Sequence, residues 1–132
     1  MNYKLALDTN AYTALGVGNK SIAKLVARAP QIGLPSVVLG EIYFGIYNGG
    51  LKDKNNESLA RFMQNPRVTL LDINEDTTRL FGETATQLRK DGKAIQQNDI
   101  WIAALCKQYN YVLATKDAGF EAVTGLQVAS WG

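Results

Sequence analysis

Short apolar runs alternate along the chain with longer stretches in which apolar residues recur every three or four positions, and the two periods assign strands and helices in turn. Residues 4–7 (Lys-Leu-Ala-Leu) form the first run and end at Asp8-Thr9-Asn10, a polar cluster of the kind that closes a strand and opens a helix. From Ser21 to Ala29 an amphipathic helix is predicted, with Ile22, Leu25, Val26 and Ala29 on one face, Lys20, Lys24 and Arg28 between them, and Pro30 as its stop. Ile32 to Leu34 is a second short strand. Pro35-Ser36 then starts a helix to about Tyr47, which Asn48-Gly49-Gly50 ends.

A polar connection follows, and a helix is predicted from Asn56 or Ser58 to Met63. Val68 to Leu71 reads as a third strand between Pro66 and Asp72. The stretch Glu75 to Lys90 aligns Leu80, Phe81, Ala85 and Leu88, with acids early and Arg89 and Lys90 late, as the helix dipole favours. Gly92 ends it. Asn98 can cap a helix through Lys107, Tyr111 to Ala114 supplies a strand running into Thr115-Lys116-Asp117, and Leu126 to Val128 is a last short strand. Strands alternating with helices imply βαβ units: an α/β fold with a short, mostly parallel central sheet flanked by helices. Such sheets place their crevice outside the carboxyl ends of the strands, where Asp8 and Asp117 both fall.

With 132 residues the expectation is a single domain. The chain is 46% apolar and 20% charged, a globular balance without low-complexity segments. No apolar run reaches the roughly 18 residues needed to span a bilayer, and the stretch before Asp8 lacks the regions of a signal peptide, so a cytoplasmic address is expected. Cys106, the one cysteine, excludes an internal disulfide and a multi-cysteine zinc site, and among Ala103, Ala104 and Leu105 it reads as a small buried apolar residue. The chain has no histidine. That removes the usual neutral-pH base, the Ser-His-Asp triad and most transition-metal sites, and leaves acid-base chemistry to carboxylates, metals or lysine.

Four acids stand out against their surroundings. Glu41 is the one ionisable acid in the helical stretch Val37 to Tyr47, where its neighbours three and four residues away are Val37, Val38, Phe44 and Gly45. Without a solvated face, an ionised carboxylate there requires a cation or strong hydrogen bonds. Asp99 precedes the similarly apolar Ile100-Trp101-Ile102-Ala103-Ala104-Leu105. Taken singly, Asp99, Asp8 and Asp117 are also explained as helix-dipole or capping residues. Converging at one end of the sheet, the four would repel one another, raise one another's pKa values and destabilise the fold unless a cation joined them. Magnesium, or manganese, matches an all-carboxylate donor set better than zinc does. Hydrolysis of a phosphodiester by in-line displacement is the reaction such a site serves.

The segments Leu7-Asp8-Thr9-Asn10, Glu41 on its apolar helix after Pro35-Ser36, Asn98-Asp99-Ile100-Trp101-Ile102-Ala103-Ala104, and Thr115-Lys116-Asp117, in that order and spacing, resemble the PIN-domain nucleases. Within these they are most similar to the VapC-type toxins of bacterial toxin-antitoxin pairs, a likeness that the ending Gly125-Leu126-Gln127-Val128 through Trp131 shares. The resemblance implies a PIN-like domain over residues 1–132. It further implies a magnesium-dependent endoribonuclease in which Asp8, Glu41 and Asp99 are the first three catalytic, metal-holding acids and Asp117 the more variable fourth. Thr115, and less directly Asn10, would hydrogen-bond those acids, and the chain would form a homodimer inhibited by a cognate antitoxin protein. One departure is visible: many relatives carry a proline two residues past the glycine, where this chain has Gly92-Lys93-Ala94.

Net charge is only +2, but with four acids gathered in one site the rest of the surface carries fourteen basic and eight acidic groups, an excess of six that attracts a polyanion. Lys116 and the group Arg89, Lys90 and Lys93 are the candidate contacts to RNA phosphates. Tyr43, Phe44 and Tyr47 could stack on bases, although apolar packing is expected for at least two of them. Gly16-Val17-Gly18-Asn19-Lys20-Ser21 lacks the third glycine of a phosphate loop, and Asp53-Lys54-Asn55-Asn56-Glu57 reads as a polar loop rather than a calcium site. Two alternatives stay open at this point. A phosphoacceptor receiver domain would want paired acids after the first strand, where only Asp8 stands, and a catalytically silent module would grip RNA or protein without cutting.

Overall fold

The computed structural model describes residues 3–132. Five strands, β1 (Leu5–Leu7), β2 (Ile32–Pro35), β3 (Val68–Leu71), β4 (Val112–Ala114) and β5 (Val128–Ala129), form one sheet in the order β3-β2-β1-β4-β5. Every pairing is parallel, so the mostly parallel sheet read from the alternation of elements is found. The chain winds outward from β1 through β2 to β3, then returns to place β4 on the other side of β1. The switch point, where a crevice opens between strands whose connections diverge, therefore lies at the carboxyl ends of β1 and β4.

Helices α1 (Thr9–Gly16), α2 (Lys20–Arg28), α3 (Ser36–Tyr47), α4 (Lys52–Gln64), α5 (Glu75–Lys90) and α6 (Gln97–Tyr109) make the crossovers. Two apolar clusters divide between the faces of the sheet. Leu5, Leu7, Ile22, Ile32, Ala114 and Trp131 pack together beneath α1 and α2, whereas Ala6, Val38, Ile42, Leu88, Ile102 and Leu113 pack beneath α3, α5 and α6. Successive strand residues point to opposite faces, which is why Leu5 and Leu7 go one way and Ala6 the other. The three central strands, β2, β1 and β4, are covered on both sides and buried throughout, whereas the edge strands β3 and β5 are partly open.

Several boundaries differ from the sequence reading, each for a local reason. The polar connection after Gly50 is largely helical: α4 begins at Lys52 and takes in Asp53-Lys54-Asn55-Asn56-Glu57, read as a loop. No glycine or proline interrupts residues 51–65, and Leu59 with Phe62 and Met63 supplies a buried side that rewards the helix. Asn98 is not a cap. The cap is Gln96, two residues earlier, because its carbonyl already accepts from the N–H groups of Asp99 and Ile100, at 3.0 and 3.2 Å. Asn19 caps α2 by accepting from the N–H groups of Ser21 and Ile22, which accounts for the residues that faintly resembled a phosphate loop. The last strand is displaced to Val128–Ala129, and a 3-10 turn, Ala118–Ala122, follows Asp117. Among the described residues no helix is long and apolar enough to cross a membrane.

Helices α5 and α6 pack through polar as well as apolar contacts. Thr77 and Thr84 are buried on the α5 side; Thr77 bonds Gln108, and Lys107 Nζ donates to Thr84 Oγ1 at 2.6 Å. Phe81 stacks on Trp101 with ring centroids 4.1 Å apart. This pairing sets α6, and with it Asp99, against the sheet. Cys106 lies buried in the core and burial pushes its thiol far above the usual range, so it packs as a small apolar residue as expected.

Candidate metal centre

Asp8 follows β1 directly and is buried, 7% exposed. One of its carboxylate oxygens caps α1, accepting from the Ala11 N–H at 2.8 Å, and the other accepts from the Thr115 hydroxyl at 2.5 Å. Capping and site-building are thus the work of one side chain, and the two readings of Asp8 do not compete. Burial pushes its pKa up, against the bonds from Thr115 and Ala11, and the charge of Asp117 pushes it further. Thr115 is buried at the carboxyl end of β4, on the far side of the switch point, and also accepts from the Asp117 N–H at 3.0 Å. A single hydroxyl therefore ties β1 to the loop that carries Asp117.

Asp117 begins the 3-10 turn, its carboxylate accepting from the Gly119 N–H at 2.8 Å. The far end of that turn is held by Gln87 of α5, which donates to the Ala122 carbonyl at 3.0 Å and accepts from the Thr124 N–H at 3.0 Å. Asp99 stands in the first turn of α6, partly buried. Its carboxyl is pushed up to about 6, first by burial and then by the charges of Asp117, Glu41 and Asp8 in that order. One side chain thus feels the other three acids, which the chain separates by as many as 109 positions.

Glu41, on the second turn of α3, departs from expectation. It is exposed, because α3 has a solvent-facing side after all: Tyr43, Phe44 and Tyr47 share it, 36%, 73% and 59% exposed. The packing expected for at least two of these rings is not found; all three face outward, with Tyr43 and Tyr47 stacked on each other. What orients Glu41 is Thr9, whose hydroxyl donates to Oε1 at 3.0 Å. Sequence reading missed Thr9 and named its neighbour Asn10, which is exposed. The available signal was a hydroxyl at the first position of a helix, directly after a candidate acid. A shallow depression lined by Thr9, Val37, Gly40, Glu41, Phe44 and Asn98 opens beside these residues, and a groove of about 370 Å³ runs from Thr9 and Glu41 over Tyr12, Ile42 and Ile46.

Among the described residues no group of three or more histidine, cysteine, aspartate or glutamate side chains is arranged to hold an ion. The four acids share a neighbourhood without forming a closed shell of direct ligands. The donors these acids offer are all oxygen, the set that suits magnesium or manganese, and Asp99, lifted first by burial and then by the charges of the other three acids, is a carboxyl whose ionised form a hard cation would favour. The basic candidates lie around this region unequally. Lys116 is exposed with its ammonium over the Trp131 ring, 4.6 Å from the centroid, while Arg89, Lys90 and Lys93 are exposed at and beyond the end of α5.

Residues 5–126 match the model of the PIN domain family. Ribonuclease VapC1 of Haemophilus influenzae strain R2866 is 32% identical over 131 residues, covering 95% of this chain and 96% of that protein. Among solved structures, VapBC2 from Rickettsia felis bound to a DNA fragment from their promoter superposes with a TM-score of 0.85 at 26% identity, covering 98% of this chain and 99% of that one. VapBC-1 from nontypeable Haemophilus influenzae gives 0.84 at 27% identity, covering 97% and 98%. With matched sequence over nearly its whole length and the fold in common, this chain belongs to the PIN-domain family, among the VapC-type toxins.

Proposed function

We propose that the chain is a magnesium-dependent endoribonuclease, acting at Asp8, Glu41, Asp99 and Asp117, and that it is the toxin of a toxin-antitoxin pair. The observation that carries this reading is that separate elements deliver Asp8 and Asp117, joined through Thr115, and Glu41, held by Thr9, to the surroundings of Asp99, whose carboxyl is raised first by burial and then by the charges of the other three. A fold tolerates such crowding where a divalent cation is its usual occupant. Asp8, Glu41 and Asp99 would hold that cation, with Asp117 the fourth and manganese able to substitute. An ion held there would supply compensation for the phosphodiester's negative charge and would lower the pKa of water for in-line attack.

The protein's own residues do the positioning. Thr115 and the α1 amide hold the two oxygens of Asp8, and the Thr9 hydroxyl holds Glu41. Restricting these carboxylates beforehand lowers the ordering cost at the reactive geometry. Asn10 would add a polar contact at the rim. Lys116, Arg89, Lys90 and Lys93 would meet RNA phosphates and orient the strand without reading its sequence.

Two features of the surface support protein partners. The groove beside Glu41 has an apolar floor in Ile42 and Ile46, suited to a segment of an antitoxin that would cover the acids. The exposed rings of α3 form the kind of apolar patch that marks an interface, which the homodimer of this reading would bury. The test is cleavage of RNA by purified protein in magnesium, beside the same protein in chelator and the Asp8→Asn and Asp99→Asn variants. Cutting by wild type alone, and in magnesium alone, is the expected result; full activity in either variant defeats the assignment, and RNA binding without cutting by wild type assigns a silent module.

A further inference from the structure

Between Asp8 and Glu41 the chain contains no acidic residue, yet it contains Lys20, Lys24 and Arg28. These three sit at successive four-residue intervals on α2, and all are exposed. At about 1.5 Å rise per residue they form a row of cations roughly 12 Å long down one side of the helix. Arg67 lies at its far end, donating to the carbonyls of Val26 and Ala29 at 3.0 and 2.6 Å. Among the described residues the ion pairs are those of Arg79 with Glu75 and Asp76, so no carboxylate neutralises the row.

The row is joined to the candidate metal centre. Helix α2 begins at the end of the sheet where the acids lie: β5 runs parallel to β4, and beyond its carboxyl end the Gly132 N–H donates to Ser21 Oγ at 3.2 Å. Lys116, next to Asp117, bends toward that junction, its ammonium over the Trp131 ring and its Cε 3.9 Å from where a side chain on Gly132 would begin. The cations therefore follow one another from the acidic crevice to Lys116, across the Ser21–Gly132 contact, and down α2 through Lys20, Lys24 and Arg28. Helix α1, which packs beside α2, carries no acid to interrupt them.

We infer that this row is a backbone-binding track for single-stranded RNA lying outside the cleavage crevice, so that the protein grips several nucleotides beyond the bond it acts on. The inference rests on the nuclease reading for the identity of the polyanion, and it deepens that reading by giving the substrate a minimum length. Evenly spaced cations on a helix face suit a chain of phosphates and read no base, which makes the contact independent of sequence.

The experiment compares Lys20→Gln/Lys24→Gln/Arg28→Gln with a control of equal charge change, Lys52→Gln/Lys54→Gln/Arg61→Gln on α4. Both are made in the Asp99→Asn background so that RNA stays intact, and circular dichroism verifies that each is folded. Fluorescence anisotropy over a salt series measures binding to RNA strands of about 6 and about 24 nucleotides. Each cation that neutralises a phosphate on a single strand adds about 0.7 to the slope of log Kd against log salt, so the α2 triple lowers that slope by about 2 and weakens the longer strand about tenfold or more at low salt. The penalty is smaller for the short strand and smaller for the α4 control. Equal weakening by both triples reduces the effect to net charge and overturns the track, as does an unchanged slope. Weakened binding of polyglutamate with RNA binding intact assigns the row to an acidic protein, and also overturns it. Wild type that binds with the steeper slope but never cuts RNA defeats the nuclease reading while the track stands.

Discussion

At the scale of single residues, the site depends on a few hydroxyl-to-carboxylate bonds. Thr115 is the most constrained, donating to Asp8 in a buried bond while accepting from the Asp117 N–H in a partly buried one. Thr115→Val leaves a buried acceptor on Asp8 unpaired and an amide without its partner, and is expected to cost about 1–3 kcal/mol in urea unfolding. RNA cleavage falls with it, whereas Thr115→Ser restores both; a valine variant as active and stable as wild type removes Thr115 from the site.

Asp99 gives the pH dependence. Its pKa in the fold, about 6, lies above the ordinary carboxylate value, so the fold favours the protonated form. That contribution is fully present below the unfolded pKa and is lost as pH rises through the folded value, which leaves the metal-free protein burdened by the charged group near neutrality. Asp99→Asn is therefore expected to raise Tm in chelator at about pH 7.5 and to lose that advantage at about pH 4, and added magnesium stabilises wild type more than the variant. An Asp99→Asn variant less stable than wild type at neutral pH without metal refutes this account.

At the scale of elements, the close approach of β2 to its neighbours turns on Gly33. A side-chain carbon there would lie 2.7 Å from Cε2 of Tyr111 and 2.8 Å from Cδ1 of Leu71, both inside the sheet's packing. Gly33→Ala is expected to destabilise the protein by about 1–3 kcal/mol through overpacking. A denaturation midpoint equal to wild type would mean that both neighbours yield freely. The position of α6 rests similarly on α5, through the Thr77–Gln108 and Lys107–Thr84 bonds and the Phe81–Trp101 stack. These contacts are distant from the acids in sequence, yet they decide where Asp99 stands.

At the scale of the whole molecule, the exposed rings of α3 bear on assembly. If the homodimer of the proposed function buries Phe44, then Phe44→Asp places a charge in that interface and shifts sedimentation toward the monomer by at least tenfold in dissociation constant, while circular dichroism stays unchanged. Identical sedimentation of variant and wild type moves the dimer interface elsewhere. The charge distribution works at the same scale: no acid lies between Asp8 and Glu41, so the row on α2 is locally positive although the net charge is only +2.

The amphipathic spacing of α2 and α5, the apolar runs of the strands and the punctuation at Pro30, Gly50 and Gly92 were enough to predict alternating elements, and alternation is enough for a parallel sheet. Asp8 and Asp99 stood out because they border apolar segments where a lone charge is costly, and both are at least partly buried; the same argument placed Glu41 without a solvated face, which the open side of α3 overturns. Local signals could not determine where α4 begins or that Gln96 opens α6, since there the reward came from burial of Leu59 and from backbone bonds rather than from a capping side chain. Nor could they reveal that α3 keeps an open side: an all-apolar helix reads as buried, and only the placement of the other elements decides whether anything covers it. Long-range pairings such as Thr9 with Glu41 and Thr115 with Asp8 depend on distances across the sheet, which residue type and spacing do not encode. The chain by itself thus determined which elements alternate, because that follows from periodicity. Tertiary packing alone decided which hydroxyl holds which carboxylate and which faces remain for partners.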